Sequence, residues 1–139
     1  MCVVNRNSAE PPSHYDCAKF SALACPFLTL PKAQRREANM PANTQELAGI
    51  MIPRNPGVTC LWTTKRYFVH NTARGPLFNI GRSESVEWSA EKLPATREQV
   101  LVSIDSGMPS LRALCETPQD HAALATAYNE VLPFLPATQ

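Results

Sequence analysis

The sequence predicts an α+β fold: an N-terminal helix, a small antiparallel sheet of three or four strands, and C-terminal helices. Three observations carry this. An alanine-rich stretch, His14 to Ala24, follows Pro11-Pro12. Four short segments between Val58 and Ser89 are rich in β-branched and aromatic residues. Two helix-start signatures, at Thr96 and Thr117, each open a run of apolar residues at helical spacing.

The first twelve residues read as extended or irregular. Ser13 is placed to cap the helix that follows, and Asp16 suits the positive end of its dipole. Pro26 ends that helix and biases Cys25 away from helical geometry. Residues 29–53 read as a connector, with Pro31, Pro41 and a polar run from Lys32 to Asn39 that predicts a short helix. Arg54-Asn55-Pro56-Gly57 is a turn signal. The strands then read as Val58–Thr63, Arg66–Val69, Leu77–Ile80 and Ser85–Ser89, with Asn71–Gly75 as a loop. Thr96 and Gln99 form a capping box, and Val100, Leu101, Ile104 and Met108 share one helical face. Gly107 and Pro109 predict a stop or kink there, with a short helix through Leu111–Cys115 after it. Thr117-Pro118-Gln119-Asp120 starts the last helix, whose apolar stripe is Leu124, Tyr128 and Val131, and Pro133 ends it.

A chain of 139 residues is the size of one domain. It divides into 1–28 (Cys/His cluster and first helix), 29–53 (connector), 54–90 (sheet) and 94–135 (helical part). With 44% hydrophobic and 18% charged residues, the composition is globular rather than disordered. Thirteen prolines against five glycines predict short elements and rigid connections. No apolar run approaches the ~20 residues of a membrane span, and no secretory signal pattern opens the chain, so the reading is cytoplasmic.

The net charge of +1 hides a gradient. Lys32 to Arg82 holds eight basic and two acidic residues, a net +6, whereas Ser83 to the end holds three basic and eight acidic, a net −5. A basic middle suits nucleic acid or an acidic protein, with Arg35, Arg36, Arg54, Lys65, Arg66 and Arg74 as the contact residues. The plainer alternative is that the two halves complement each other or face water. Trp62, Tyr67, Phe68 and Phe78 lie within this segment and could stack bases, although packing is the better expectation for aromatics of a small sheet.

Five cysteines without a signal peptide argue against a disulfide framework. Cys2, His14, Cys17 and Cys25 crowd the N-terminus, and thiolates with imidazole are what tetrahedral zinc takes. His14 and Cys17 are three apart on the expected helix and would share a face. The alternative is that the cysteines are core and His14 is exposed. His70 with Cys60 could mimic a nucleophile pair, but no third orienting residue is evident. Cys115 and His121 carry no pattern, Glu98 and Asp105 fit a solvated helix side, and the glycines form no phosphate loop.

Several segments resemble an uncharacterised family of small bacteriophage and prophage proteins. They are Met1-Cys2-Val3-Val4-Asn5-Arg6, Pro12-Ser13-His14-Tyr15-Asp16-Cys17-Ala18, Ala24-Cys25-Pro26-Phe27-Leu28 and Pro94-Ala95-Thr96-Arg97-Glu98-Gln99-Val100, with Arg54–Val58 and Ser103–Gly107 in support. The resemblance implies a zinc-like site in which a CxxC pair upstream of the Met1-Cys2 block joins His14 and Cys17. The sequence begins after that pair: either Met1 is an internal methionine, or two ligands are lost, which leaves Cys2 and Cys25 to complete a structural zinc site or leaves no site. It also implies a non-enzymatic protein of the bacterial host cytoplasm that binds a host or phage macromolecule, for instance as an anti-defence inhibitor. A protein partner is expected first, nucleic acid second, and no membrane.

Overall fold

A computed structural model describes residues 2–35, 41, 48–49 and 52–138, with the Cys2 side chain outside that set. The fold is α+β. A short helix α1 (Cys2–Asn5) and a two-residue strand β1 (Asn7–Ser8) open it. The helices α2 (Tyr15–Ala24) and α3 (Pro26–Thr29) follow. The strands are β2 (Thr59–Thr63), β3 (Tyr67–Thr72), β4 (Gly75–Ile80), β5 (Ser85–Ala90) and β6 (Leu93–Pro94). Helices α4 (Arg97–Arg112) and α5 (Pro118–Val131) and a 3₁₀ turn (Leu132–Phe134) complete it.

The strands form two three-stranded antiparallel sheets, β2-β5-β6 and β1-β4-β3, rather than one. Both grow from a single antiparallel ribbon. Thr63 pairs with Ser85 and Tyr67 with Ile80. Between those pairs the ribbon stays tied by Glu84 N–H donating to Thr63 O (2.8 Å) and Gly81 N–H donating to Arg66 O (3.0 Å). Gly81 is the waist. A Cβ there would lie 2.4 Å from Arg66 O, so no side chain fits where the two strands close up. Below the waist β6 joins β5, and above it β1 joins β4.

The core lies on one face of β2-β5-β6. Cys60 and Trp88 are paired across the ladder and share that face with Trp62. They pack on Val3 and Val4 of α1, Val100, Ile104, Met108 and Leu111 of α4, and Val131 of α5. Val100 and Val131, at 0% and 1% exposure, are its centre. The opposite face carries Leu61 and Glu87 and is covered by α2, where Tyr15 O–H donates to Glu87 Oε1 and Lys19 Nζ lies 3.3 Å from Glu87 Oε2. The sheet is thus sandwiched between α2 on one face and α1, α4 and α5 on the other.

Helix termini follow local chemistry. Thr96 with Gln99, and Thr117 with Asp120, form full capping boxes. The expected stop at Gly107-Pro109 does not occur, and α4 runs to Arg112 with Pro109 inside it. The carbonyl that loses its donor belongs to Asp105, four residues back, which is exposed and can bond water. Burial of Met108 and Leu111 on either side offsets the loss. Ser13 is not the cap of α2. His14 holds that position with extended backbone and no side-chain cap bond. The irregular N-terminus expected from the sequence instead holds α1 and β1. The short helix expected over Lys32–Asn39 falls partly outside the described residues, and Gln34 within it bridges to Arg54.

Two turns differ in strain. At the β3–β4 turn Gly75 takes φ +113, a value that glycine accepts freely. The β5–β6 turn puts Glu91 (φ 51) and Lys92 (φ 72) in the left-handed region, where side chains are disfavoured. Lys92→Gly is therefore expected to raise stability by about 1 kcal/mol in denaturant melts. Gly81→Ala should cost about 2 kcal/mol or more. In the α5 cap, Asp120 is held below the usual carboxylate range, chiefly by the hydrogen bond from the Thr117 hydroxyl and then by the backbone N–H groups of Thr117 and Glu116. A lowered folded pKa stabilises above the unfolded value, about 3.9, and that contribution fades as pH falls through the folded one. The stability gap between wild type and Thr117→Ala, measured across a pH series, should narrow below about pH 3.9.

Candidate functional surface

The strongest surface feature is the β3–β4 hairpin. Strand β3 is the edge of its sheet, and no strand among the described residues pairs with its outer side. All six of its residues are exposed, including Tyr67 (49%), Phe68 (61%) and Val69 (51%). Tyr67 and Val69 point to one face, Phe68 and His70 to the other. The Tyr67 ring leans on Phe78 with centroids 6.1 Å apart, which braces the first of these faces.

The ladder register identifies the outward backbone groups. Ile80 N–H donates to Arg6 O, away from β3. Its partner Tyr67 therefore belongs to a pair that exchanges no bonds, and so do Val69 and Asn71 at alternate positions. Pro76 opposite Asn71 agrees, because it has no N–H to offer. Tyr67, Val69 and Asn71 thus turn their N–H and C=O groups outward as an open template.

Basic residues frame this strand. From Thr64 to Ser83 there are four basic residues, Lys65, Arg66, Arg74 and Arg82, and no acidic one. Lys65 pairs with Glu84 at 2.6 Å, outside that stretch. Lys65 and Arg66 precede β3 and Arg74 follows it, so the six-residue strand holds them about 20 Å apart. Arg35 and Arg54 lie elsewhere, in a strap where residues 33–35 run beside 53–55. Arg35 Nε donates to Ile52 O (3.2 Å) with its guanidinium over Phe27, and Arg54 Nη1 donates to Asn55 O (3.1 Å). Arg36 lies outside the described residues. The five described basic residues nominated from sequence are therefore carried by two parts of the fold, the strap and the β3–β4 hairpin.

Of the four nominated metal ligands, His14 and Cys17 are exposed at the start of α2, and Cys25 is half-buried at its C-terminal cap. Cys25 has left the helix, with extended backbone, so it does not continue the helical face on which His14 and Cys17 were expected. These three side chains do not fit a shared ion, and among the described residues no group of three or more His, Cys, Asp or Glu does. Cys2 lies in α1. Cys60 faces the core of one sheet and His70 the exposed edge of the other, so they form no nucleophile pair.

A cleft of about 350 Å³ lies between the N-terminal arm (Asn5, Asn7), Phe27, Arg35, Leu77 and Leu111. Its charged wall residues are Glu10 and Arg35, and no Cys or His lines it among the described residues.

The hairpin is anchored through Trp62. Arg6, with φ 55, stacks its guanidinium 4.0 Å above the Trp62 ring. Trp62 Nε1 donates to Gly81 O (2.9 Å), and Phe134 meets the ring edge-on at 5.2 Å. Burial lowers the Arg6 pKa while Glu130 opposes it, and the guanidinium stays charged. Trp62→Ala should cost about 3 kcal/mol or more in stability, and Arg6→Lys about 1 kcal/mol, because an ammonium cannot stack as a plane. Equilibrium unfolding checks both. No helix among the described residues is long and apolar enough to cross a membrane. In the comparisons with known proteins, no family model, no curated protein and no solved structure matches this chain.

Proposed function

We propose that this protein is a non-enzymatic binding protein whose working surface is the β3–β4 hairpin. One observation carries the reading: a strand with three consecutive large apolar residues is exposed along its whole length. Large apolar side chains exposed on both faces of an open sheet edge suit a contact site. The resemblance of the N-terminal and Thr96 blocks to small phage proteins points to a host or phage macromolecule, and inhibition of a host defence complex is the form such binding would take.

A second reading is favoured by the charge of the hairpin. Four basic residues with no acid between Thr64 and Ser83 suit a phosphate backbone, and Tyr67 or Phe68 could stack on bases. Against it, the two rings lie on opposite faces of β3 and so do not make one platform.

The test compares wild type with the triple variant Tyr67→Ser, Phe68→Ser, Val69→Ser in capture from nuclease-treated extract of host cells. The binding reading expects at least a tenfold loss of captured protein in the variant, with Arg35→Ala and Arg54→Ala unaffected. Capture that persists in the triple variant overturns it. Fluorescence anisotropy with single-stranded oligonucleotides addresses the second reading, which requires affinity that falls steeply between about 50 and 200 mM salt.

A further inference from the structure

We infer that β3 binds its partner by strand addition, and that the partner segment is an extended polypeptide with acidic residues at both ends. This rests on the hairpin being the working surface and specifies what it takes.

The geometry favours an added strand over a ligand lying on one face. Tyr67 and Val69 project to one side of the sheet, Phe68 and His70 to the other. A ligand on either face would leave the other exposed. A strand laid along the edge touches both, because its own side chains alternate in step with those of β3. It also meets the outward N–H and C=O groups of Tyr67, Val69 and Asn71, which have the spacing that an antiparallel or parallel neighbour uses.

Charge selects the occupant. A second copy pairing antiparallel through these outward groups would bring Lys65 and Arg66 of one copy beside Arg74 of the other at both ends, with Arg66 directly opposite Arg74 when the pairing centres on His70, and like charges so placed are destabilising. A segment whose ends carry Asp or Glu meets Lys65 and Arg66 at one end and Arg74 at the other. The span between these groups, about 20 Å, equals six extended residues. The segment is thus an apolar or β-branched run of about six residues between acidic flanks.

Three synthetic peptides serve as probes: three Val-Thr repeats between paired Asp residues, the same core between paired Lys residues, and the Asp-ended peptide N-methylated at alternate residues. The protein variants are Val69→Pro and Phe68→Ala. Val69 turns its N–H outward, so proline there removes a donor to the partner while leaving the bonds between β3 and β4. Circular dichroism and amide spectra check that each variant keeps its fold. The Asp-ended peptide should slow hydrogen exchange at Tyr67, Val69 and Asn71. Its affinity should drop at least tenfold with Val69→Pro, with the Lys-ended peptide and with N-methylation.

If N-methylation and Val69→Pro change nothing while Phe68→Ala weakens binding, strand addition is overturned and the hairpin reading stands. If no peptide binds and the triple serine variant still captures protein, both fall. A dimer in sedimentation that Val69→Pro dissociates overturns the acidic segment in favour of a second copy. Protection of Tyr67 and Phe68 by an oligonucleotide, and not by peptide, overturns it in favour of nucleic acid.

Discussion

The close approach at Gly81 is the constraint on which the rest of the structure depends. One antiparallel ribbon has to serve two sheets, and it can bend between them only where the strands nearly touch. Gly81 permits that contact, and Trp62 holds it by donating to the Gly81 carbonyl. Arg6 then covers the Trp62 ring, and its carbonyl accepts from Ile80. A single residue in a left-handed conformation thereby ties the N-terminal arm to both halves of the ribbon. The energy of that backbone state, on the order of 1 kcal/mol, is offset by a cation–π contact and two hydrogen bonds.

The two halves of the ribbon have opposite fates. The half with β2 and β5 is covered on both faces, by α2 on one and by α1, α4 and α5 on the other. Its edge next to β5 is closed by β6. Among the described residues, the strand that joins the half with β3 and β4 is the two-residue β1 along β4. Strand β4 is half-buried, with Leu77 lining the cleft beside Phe27 and Leu111, while β3 lies on the side of β4 away from β1 and stays open. Exposure of β3 follows from where the helices pack more than from the composition of the strand itself.

This explains what could be read from the sequence and what could not. The capping box at Thr96, the helix start at Thr117 and the apolar stripes behind them are local, and they appear in the structure as expected. The four longer strands were also legible, within three residues at their ends; the largest miss is β3, which runs on to Thr72, so the loop expected over Asn71–Gly75 shrinks to a two-residue turn. Helix α1 was not, because four residues are too few to show a period, and it forms by burying Val3 and Val4. Pro109 misled because its cost depends on whether the Asp105 carbonyl meets water, which is a property of the packed helix. The division into two sheets hung on one backbone distance at Gly81. The basic residues looked like one cluster because they are neighbours in sequence, yet a strand between Arg66 and Arg74 separates them by its full length. The open edge was the least legible feature. Tyr-Phe-Val reads the same in a buried strand as in an exposed one, and only the coverage of its neighbours distinguishes the two.

An edge strand with three adjacent large apolar residues would ordinarily invite uncontrolled pairing. Natural edges are blunted by proline, by bulges, by short length or by charge. β3 is six residues long, carries no proline and keeps a regular register with β4. Charge remains as the protection, and it is of one sign from Thr64 to Ser83. Protection of one sign is selective. It repels a copy of itself and any basic segment, but it does not repel an acidic one, whereas a bulge or a proline would exclude every strand alike. The same arrangement that keeps the edge from pairing indiscriminately therefore leaves it open to one class of strand.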